Sequence, residues 1–187
     1  GSLLLWAWLL GVYAVIATYK YRNIYRAIAP YVTAILMTTM AFFLLLITFV
    51  LSPFDVWTLG KGVQDMGDGR GLNPLLQYWT MVIHPPMLYL GYLSVTLPFA
   101  FAIAALLRRK LDSGWIVAIR KWTLVSWVFL SIGIVLGMWW AYVELGWGGY
   151  WAWDPVENAS ILPWLTGTAY IHSVMVQERR GMLRVWN

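Results

Sequence analysis

The stretch WTLVSWVFLSIGIVLGMWW, Trp122 to Trp140, contains no Asp, Glu, Lys or Arg. Crossing the hydrocarbon of a bilayer takes about 20 apolar residues, with roughly 17 to 25 workable. The run meets that requirement by itself and predicts a membrane-spanning helix. Working outward, four more charge-free runs have a suitable length: Leu3 to Tyr19, Pro30 to Leu51, Pro85 to Leu107 and Ile161 to Gln177. Pro30 to Leu51 is as clear as the first run, whereas the two terminal runs are short and need tilt or help from their flanks. The expected fold is an all-α integral membrane protein of about five transmembrane helices, forming one membrane domain over residues 1–187.

Composition supports this reading. The chain is 61% hydrophobic and 11% charged, with a mean hydropathy of +0.67, against about 25% charged residues in soluble domains. Its 14 Trp and 11 Tyr suit a lipid–water boundary, where amphipathic rings gather. The net charge of +5 does not imply nucleic acid, because the basic residues fall in short clusters between apolar runs. Cysteine is absent, which excludes disulfides and thiolate metal sites and leaves any redox-active thiol to partners. The Gly1-Ser2 start and the RRGMLRVWN end read as a piece of a longer polypeptide.

Charge orients the spans. Lys20, Arg22 and Arg26 follow the first; Arg108, Arg109, Lys110, Arg120 and Lys121 follow the third; Arg179, Arg180 and Arg184 follow the fifth. Only Lys61 and Arg70 lie on the opposite side. By the positive-inside tendency the basic side is cytoplasmic, or the matrix in a mitochondrion, so Ser52 to His84 and Ala141 to Ser160 face outward. Between them, LDSGWIVAIRK, Leu111 to Lys121, predicts a short amphipathic helix lying in the inner interface. The loop GKGVQDMGDGRG has the Gly and Asp content of a mobile tip.

The outward loop ends in GWGGYWAWDPVENAS, Gly146 to Ser160. Asp154, Pro155 and Glu157 fit a helix start, with Asp154 as N-cap, Pro155 in the first turn and Glu157 reaching back to the cap. Pro163 then bends or restarts that helix. Ahead of the cap, Trp147, Tyr150, Trp151 and Trp153 are spaced by Gly148, Gly149 and Ala152. An interfacial anchoring belt explains the aromatics. It does not call for Gly146, Gly148 and Gly149, which suit a backbone lying close under a flat ligand. Trp and Tyr supply stacking faces for a flat, mostly apolar ligand with a polar edge. Haem fits that description, and so does a quinone.

The chain has two histidines. His84, in VIHPPMLYLGY, precedes Pro85 and Pro86, which are expected to open the third span. A neutral imidazole at that outward end can ligate iron axially, or simply cap and hydrogen-bond. His172 falls about 16 Å down a helix starting at Ile161. An ionisable residue at that depth usually faces a bundle interior or cavity and marks a function, although a hydrogen bond to a neighbouring helix also explains it. One small site cannot use both, so the pattern indicates two sites with their second ligands elsewhere. Met87 or Met138 offers a soft alternative ligand for the outward site, though Met in apolar helices is usually packing.

The blocks GWGGYWAWDPVENASILPWL and GLNPLLQYWTMVIHPPMLYLGY, with the opening GSLLLW, resemble the tryptophan-rich WWD proteins that handle haem in cytochrome c maturation. Across nearly the whole chain the pattern is most similar to the CcmF family, the haem lyase subunits of System I. The resemblance implies an outward haem on the WWD loop, 141–160, and a second haem b within the membrane, each held by two histidines. His84 matches the first outward ligand and His172 the first intramembrane ligand. The resemblance further implies a cytochrome c haem lyase component joining haem to the CxxCH thiols of apocytochrome c, with His84 in a catalytic role. Trp147, Gly148, Gly149, Tyr150, Trp151, Trp153 and Asp154 would bind the cofactor. Lys61 and Arg70, the only outward basic residues, read first as solvated loop residues, with pairing to the propionates as the second reading. It implies as partners the haem chaperone CcmE, CcmH-type thiol-handling subunits and apocytochrome c. The setting would be a bacterial inner membrane with the loop periplasmic, or a mitochondrial inner membrane. A non-catalytic haem conduit, a quinone-binding subunit and a structural subunit remain as alternatives.

Overall fold

The computed structural model describes residues 1–54, 71–109 and 114–180. Lys61, Arg70 and nearly all of GKGVQDMGDGRG lie outside the described residues, as do Lys110 and Arg184. The described chain is helical and holds no strand. Its helices are α1 (Ser2–Tyr21), α2 (Ala29–Leu45), α3 (Trp79–Ser94), α4 (Thr96–Leu107), α5 (Gly114–Glu144) and α6 (Pro155–Arg180). A π-helical turn, Leu46–Val50, extends α2, and a 3-10 turn, Pro74–Leu76, precedes α3.

Among the described residues, four stretches are long and apolar enough to cross a membrane: Ser2–Tyr21, Ala29–Val50, Trp79–Leu107 and Trp115–Glu144. The chain is therefore a multi-pass membrane protein. The expected run Ile161 to Gln177 is helical within α6, but α6 is not among the four apolar stretches. Polar residues within the run explain why: Thr166, Thr168, His172, Ser173 and Gln177 interrupt its apolar side chains.

Helices in lipid gain little from mutual hydrophobicity, so close packing and interhelical hydrogen bonds hold them. The most extensive contact is between α3 and α5. A Cβ on Gly91 would come 2.7 Å from Leu130, and one on Gly133 would come 2.6 Å from Leu88. Near the basic ends, Leu10, Leu36, Leu97, Phe101 and Ile119 form one buried cluster drawn from α1, α2, α4 and α5. Leu88, Leu130 and Ile134 form a second, flanked by Met138, Trp151 and Trp164.

Three expected boundaries are corrected. The third span does not open at Pro85, because α3 starts at Trp79 and carries Pro85 and Pro86 in its interior. Membrane helices tolerate interior proline where neighbours and local adjustment satisfy the freed backbone groups. The helix is instead interrupted at Val95, between α3 and α4. Pro98, in the first turn of α4, has no N–H to donate back across that break. The separate interface helix also does not form: its residues from Gly114 onward belong to α5, which runs unbroken past Arg120 and Lys121 to Glu144. The outward loop is consequently shorter than expected, spanning 145–154.

Pro163 does not break α6. Proline cannot donate to the carbonyl four residues back, and that carbonyl, on Ala159, accepts the Tyr92 hydroxyl at 3.0 Å. A residue of α3 thus satisfies the group that proline leaves open.

Candidate functional site

The site begins with the approach of α3 to α5. His84 is half-buried, and its Nδ1 lies 2.6 Å from the Gly133 carbonyl oxygen. A carbonyl only accepts, so Nδ1 carries the proton and donates, leaving Nε2 with its lone pair free. The ring fits because Gly137 has no side chain. A Cβ there would come 2.6 Å from His84 Cε1 and 2.8 Å from Nδ1. Gly133 thus provides the acceptor and Gly137 the space, one helical turn apart on one face of α5.

His84 lines a cavity of about 120 Å³ together with Met138, Trp140, Trp147, Trp151, Asp154 and Glu157. The Trp151 indole nitrogen is buried and has no hydrogen-bond partner among the described residues. The same holds for Thr80 Oγ1, one turn before His84. Buried donors are normally satisfied, yet Trp151, which lines this small, mostly apolar cavity with His84, keeps an unused N–H. Trp140 Nε1 donates to the Leu75 carbonyl at 2.8 Å and ties the preceding 3-10 turn to α5.

The loop is fixed from its C-terminal end. Asp154 Oδ1 accepts the Glu157 N–H at 2.7 Å, and Glu157 Oε2 accepts the N–H groups of Asp154 at 3.4 Å and Ala152 at 2.7 Å. The expected capping box is present, and its carboxylate also reaches one residue beyond Trp153. Trp153 has φ +60°, a costly conformation for a bulky residue that persists only where its surroundings impose it. Glu157 restrains both neighbours of Trp153, and Asn158 Nδ2 donates to its carbonyl at 3.0 Å. Gly148 has φ +69°, which glycine alone adopts without penalty.

The four aromatics expected to share a platform divide into two sets. Trp147 and Trp151 line the cavity with His84. Tyr150 stacks on Tyr142 of α5, with centroids 4.3 Å apart and planes 9° from parallel. Trp153 meets Trp151 edge-on at 5.9 Å and is 69% exposed. Asp154 lines the cavity as well as capping α6. Of the two candidate methionines, Met138 lines the cavity and Met87 does not.

His172 lies elsewhere. It is exposed on α6, twelve residues beyond the cavity-lining Ser160, which is about 18 Å along a helix. Its Nδ1 donates to the Thr168 carbonyl at 2.8 Å, so its Nε2 is free as well. Among the described residues no three His, Asp or Glu side chains converge as a metal-holding group. A flat macrocycle with its own equatorial donors needs only an axial nitrogen, which both histidines offer. Gly133, Gly137 and Trp140 escaped the sequence reading. The G-x-x-x-G spacing of Gly133 and Gly137, a signal of close helix approach, was the available clue.

A family model described as Cytochrome C assembly protein matches residues 1–186. The chain is 50% identical over 186 residues to the cytochrome c-type biogenesis protein CcmF of Pseudomonas aeruginosa, covering 100% of this chain and 28% of that protein. It is 47% identical over 186 residues to CcmF of Escherichia coli K12, with the same coverage of each. A solved structure named cytochrome c haem lyase CcmF superposes with a TM-score of 0.82 at 40% identity, covering 100% of this chain and 28% of that one. The chain thus spans about 28% of the length of these relatives.

Proposed function

This chain belongs to the Cytochrome C assembly protein family, and from that premise we propose that it is a haem-presenting unit of cytochrome c maturation. Haem is the substrate at the aromatic loop, and the acceptor is a CxxCH segment of an apocytochrome c. The observation that carries the reading is the His84 seat: a ring whose proton is committed to Gly133 and whose Nε2 lone pair is free in a cavity walled by Trp147 and Trp151.

The residues present fit that substrate. A cavity of about 120 Å³ is smaller than the roughly 300 to 1,000 Å³ of pockets that enclose an organic ligand. A haem would lie across the mouth, inserting an edge and taking His84 Nε2 as an axial ligand. Gly146 and Gly148 open onto space in which a Cβ would meet nothing within 4 Å, which leaves their backbone free to approach a flat face. The two half-exposed rings, Trp147 and Tyr150, flank that approach.

In the proposed reaction each cysteine thiol adds across a haem vinyl group, forming one C–S and one C–H bond and releasing nothing. His84 holds the iron until the histidine of the CxxCH segment replaces it. The capping box of Asp154 and Glu157 keeps the loop in place while the peptide enters. His172, with its free Nε2, is the ligand contributed here to a resident haem b in the membrane. When bound, such a haem would supply electron-transfer chemistry toward the substrate iron, and His172 would hold it. We assign the loop to the periplasmic side of a bacterial inner membrane, which the gathering of basic residues at the opposite helix ends supports. The haem chaperone CcmE and CcmH-type thiol-handling subunits are the proposed partners.

The test uses the full-length protein purified from membranes, reduced haem and a reduced CxxCH peptide, with covalent haem read on a denaturing gel. His84→Ala is expected to lower the thioether product at least tenfold while leaving the intramembrane haem spectrum unchanged. Unchanged product would overturn the assignment. Haem bound by the unsubstituted protein without any thioether product would favour a conduit that presents haem without joining it.

A further inference from the structure

Where α5 and α6 cross, the same short pattern occurs once on each helix. Trp127 is followed four residues later by Ser131, and Trp164 four residues later by Thr168. The Trp127 indole donates to Thr168 Oγ1 at 2.7 Å, and the Trp164 indole donates to Ser131 Oγ at 2.7 Å. Each hydroxyl then passes its own proton back along its helix, Ser131 to the Trp127 carbonyl and Thr168 to the Trp164 carbonyl, both at 2.7 Å. The two indoles lie face to face, centroids 5.8 Å apart and planes 22° from parallel. The result is a reciprocal clasp in which every donor and hydroxyl is used.

The clasp matters because α6 packs chiefly against α5. A helix held by one neighbour through apolar contact alone can slide and rotate at small cost, since such contact is non-directional. Directional bonds to an indole and a hydroxyl remove that freedom: turning α6 by one residue, about 100°, would break both cross-helix bonds. Thr168 is the residue whose carbonyl accepts the His172 Nδ1 proton. One threonine therefore takes the Trp127 bond through its side chain and the His172 bond through its backbone.

We propose that the Trp127–Thr168 half of the clasp positions His172, setting the depth and the azimuth at which its Nε2 meets an axially bound haem. The Trp164–Ser131 half, one turn nearer the aromatic loop, braces the helices without addressing the histidine. This rests on the reading that His172 ligates an intramembrane haem. Trp127 and Thr168 act through His172 and are positioning residues.

The full-length protein, purified with its haem, is tested by transfer of that haem to apomyoglobin and by the low-spin EPR signal of the oxidised iron. Loss of a hydrogen bond that orients a ligand typically costs about 10- to 100-fold in affinity. Thr168→Val and Trp127→Phe are therefore expected to speed haem release at least tenfold and to shift the EPR g-values. Thr168→Ser, which keeps the hydroxyl, should behave as the unsubstituted protein. Ser131→Ala, which removes as many bonds from the other half, should lower thermal stability yet leave release and g-values unchanged. Should Ser131→Ala release haem as fast as Thr168→Val, or should Thr168→Val and Trp127→Phe both match the unsubstituted protein, the positioning role is overturned. His172→Ala separates the two layers: if the low-spin haem survives that change, the ligand reading fails and the clasp proposal with it. If the haem is lost there but not perturbed by Trp127→Phe or Thr168→Val, only the clasp proposal fails.

Discussion

His84 and His172 both give their Nδ1 proton to a backbone carbonyl and keep Nε2 free, but the carbonyls belong to different kinds of neighbour. His84 is half-buried and bonds to Gly133, 49 residues away on another helix. His172 is exposed and bonds to Thr168, one turn back on its own helix. The first geometry exists only while α3 and α5 stay in close contact. The second exists wherever α6 is helical, so what must be supplied for His172 is the placement of α6 as a whole. Substitutions that separate α3 from α5 should therefore silence His84 and leave His172 untouched.

Gly137→Val tests this most severely. Even a bare Cβ would come 2.6 Å from the His84 ring, and overpacking of this kind costs about 1–3 kcal/mol. Thioether formation should be lost while the intramembrane haem spectrum persists; loss of both signals together would break the proposed independence. Gly133→Ala comes next. Its Cβ would meet Leu88 at 2.6 Å from Cδ2 and 3.0 Å from the backbone nitrogen, so yielding requires the helices to part. A thermal midpoint lowered by the equivalent of about 1–3 kcal/mol is expected, together with weakened His84 ligation seen in the haem spectrum of the outer site.

Glu157→Gln retains the shape of the side chain but removes the charged acceptor shared by Ala152 and Asp154. Hydrogen bonds to charged groups contribute about 1.5–3 kcal/mol, so the Ala152 amide should exchange measurably faster and product yield should fall, with His172-dependent absorbance intact. The smallest effect is expected for Trp153→Gly. Glycine relieves the φ of +60° and would stabilise the loop by about 1 kcal/mol. A small rise in thermal midpoint without loss of haem binding would mean that the exposed Trp153 ring does not hold the substrate. A fall in affinity despite that rise would return it to the binding surface.

Much of this was legible in the sequence, and the parts that were not share a cause. The apolar runs and the basic clusters announced the membrane helices because bilayer thickness and charge act on each segment separately. The Asp154–Glu157 capping box was readable because it closes within four residues. Pro85 and Pro86 misled because proline's local preference for a helix start was overridden inside a packed bundle. The aromatic platform was read as one surface, whereas Tyr142 drew Tyr150 away from Trp151. No local rule predicts that, because Tyr142 belongs to the end of α5.

What the sequence by itself determined was therefore local: which segments are long and apolar enough to cross a bilayer, which ends carry the basic charge, where α6 starts, and that the two histidines belong to separate segments. These follow from length, periodicity and short-range hydrogen bonding. Only the tertiary structure decided that His84 is seated in a glycine notch on α5, that Trp147 and Trp151 rather than Tyr150 and Trp153 join it, and that α5 and α6 are clasped beside His172. Each of these depends on which side chain is absent from, or reaches into, a facing helix, and that information lies in the contact between segments, not within any one of them.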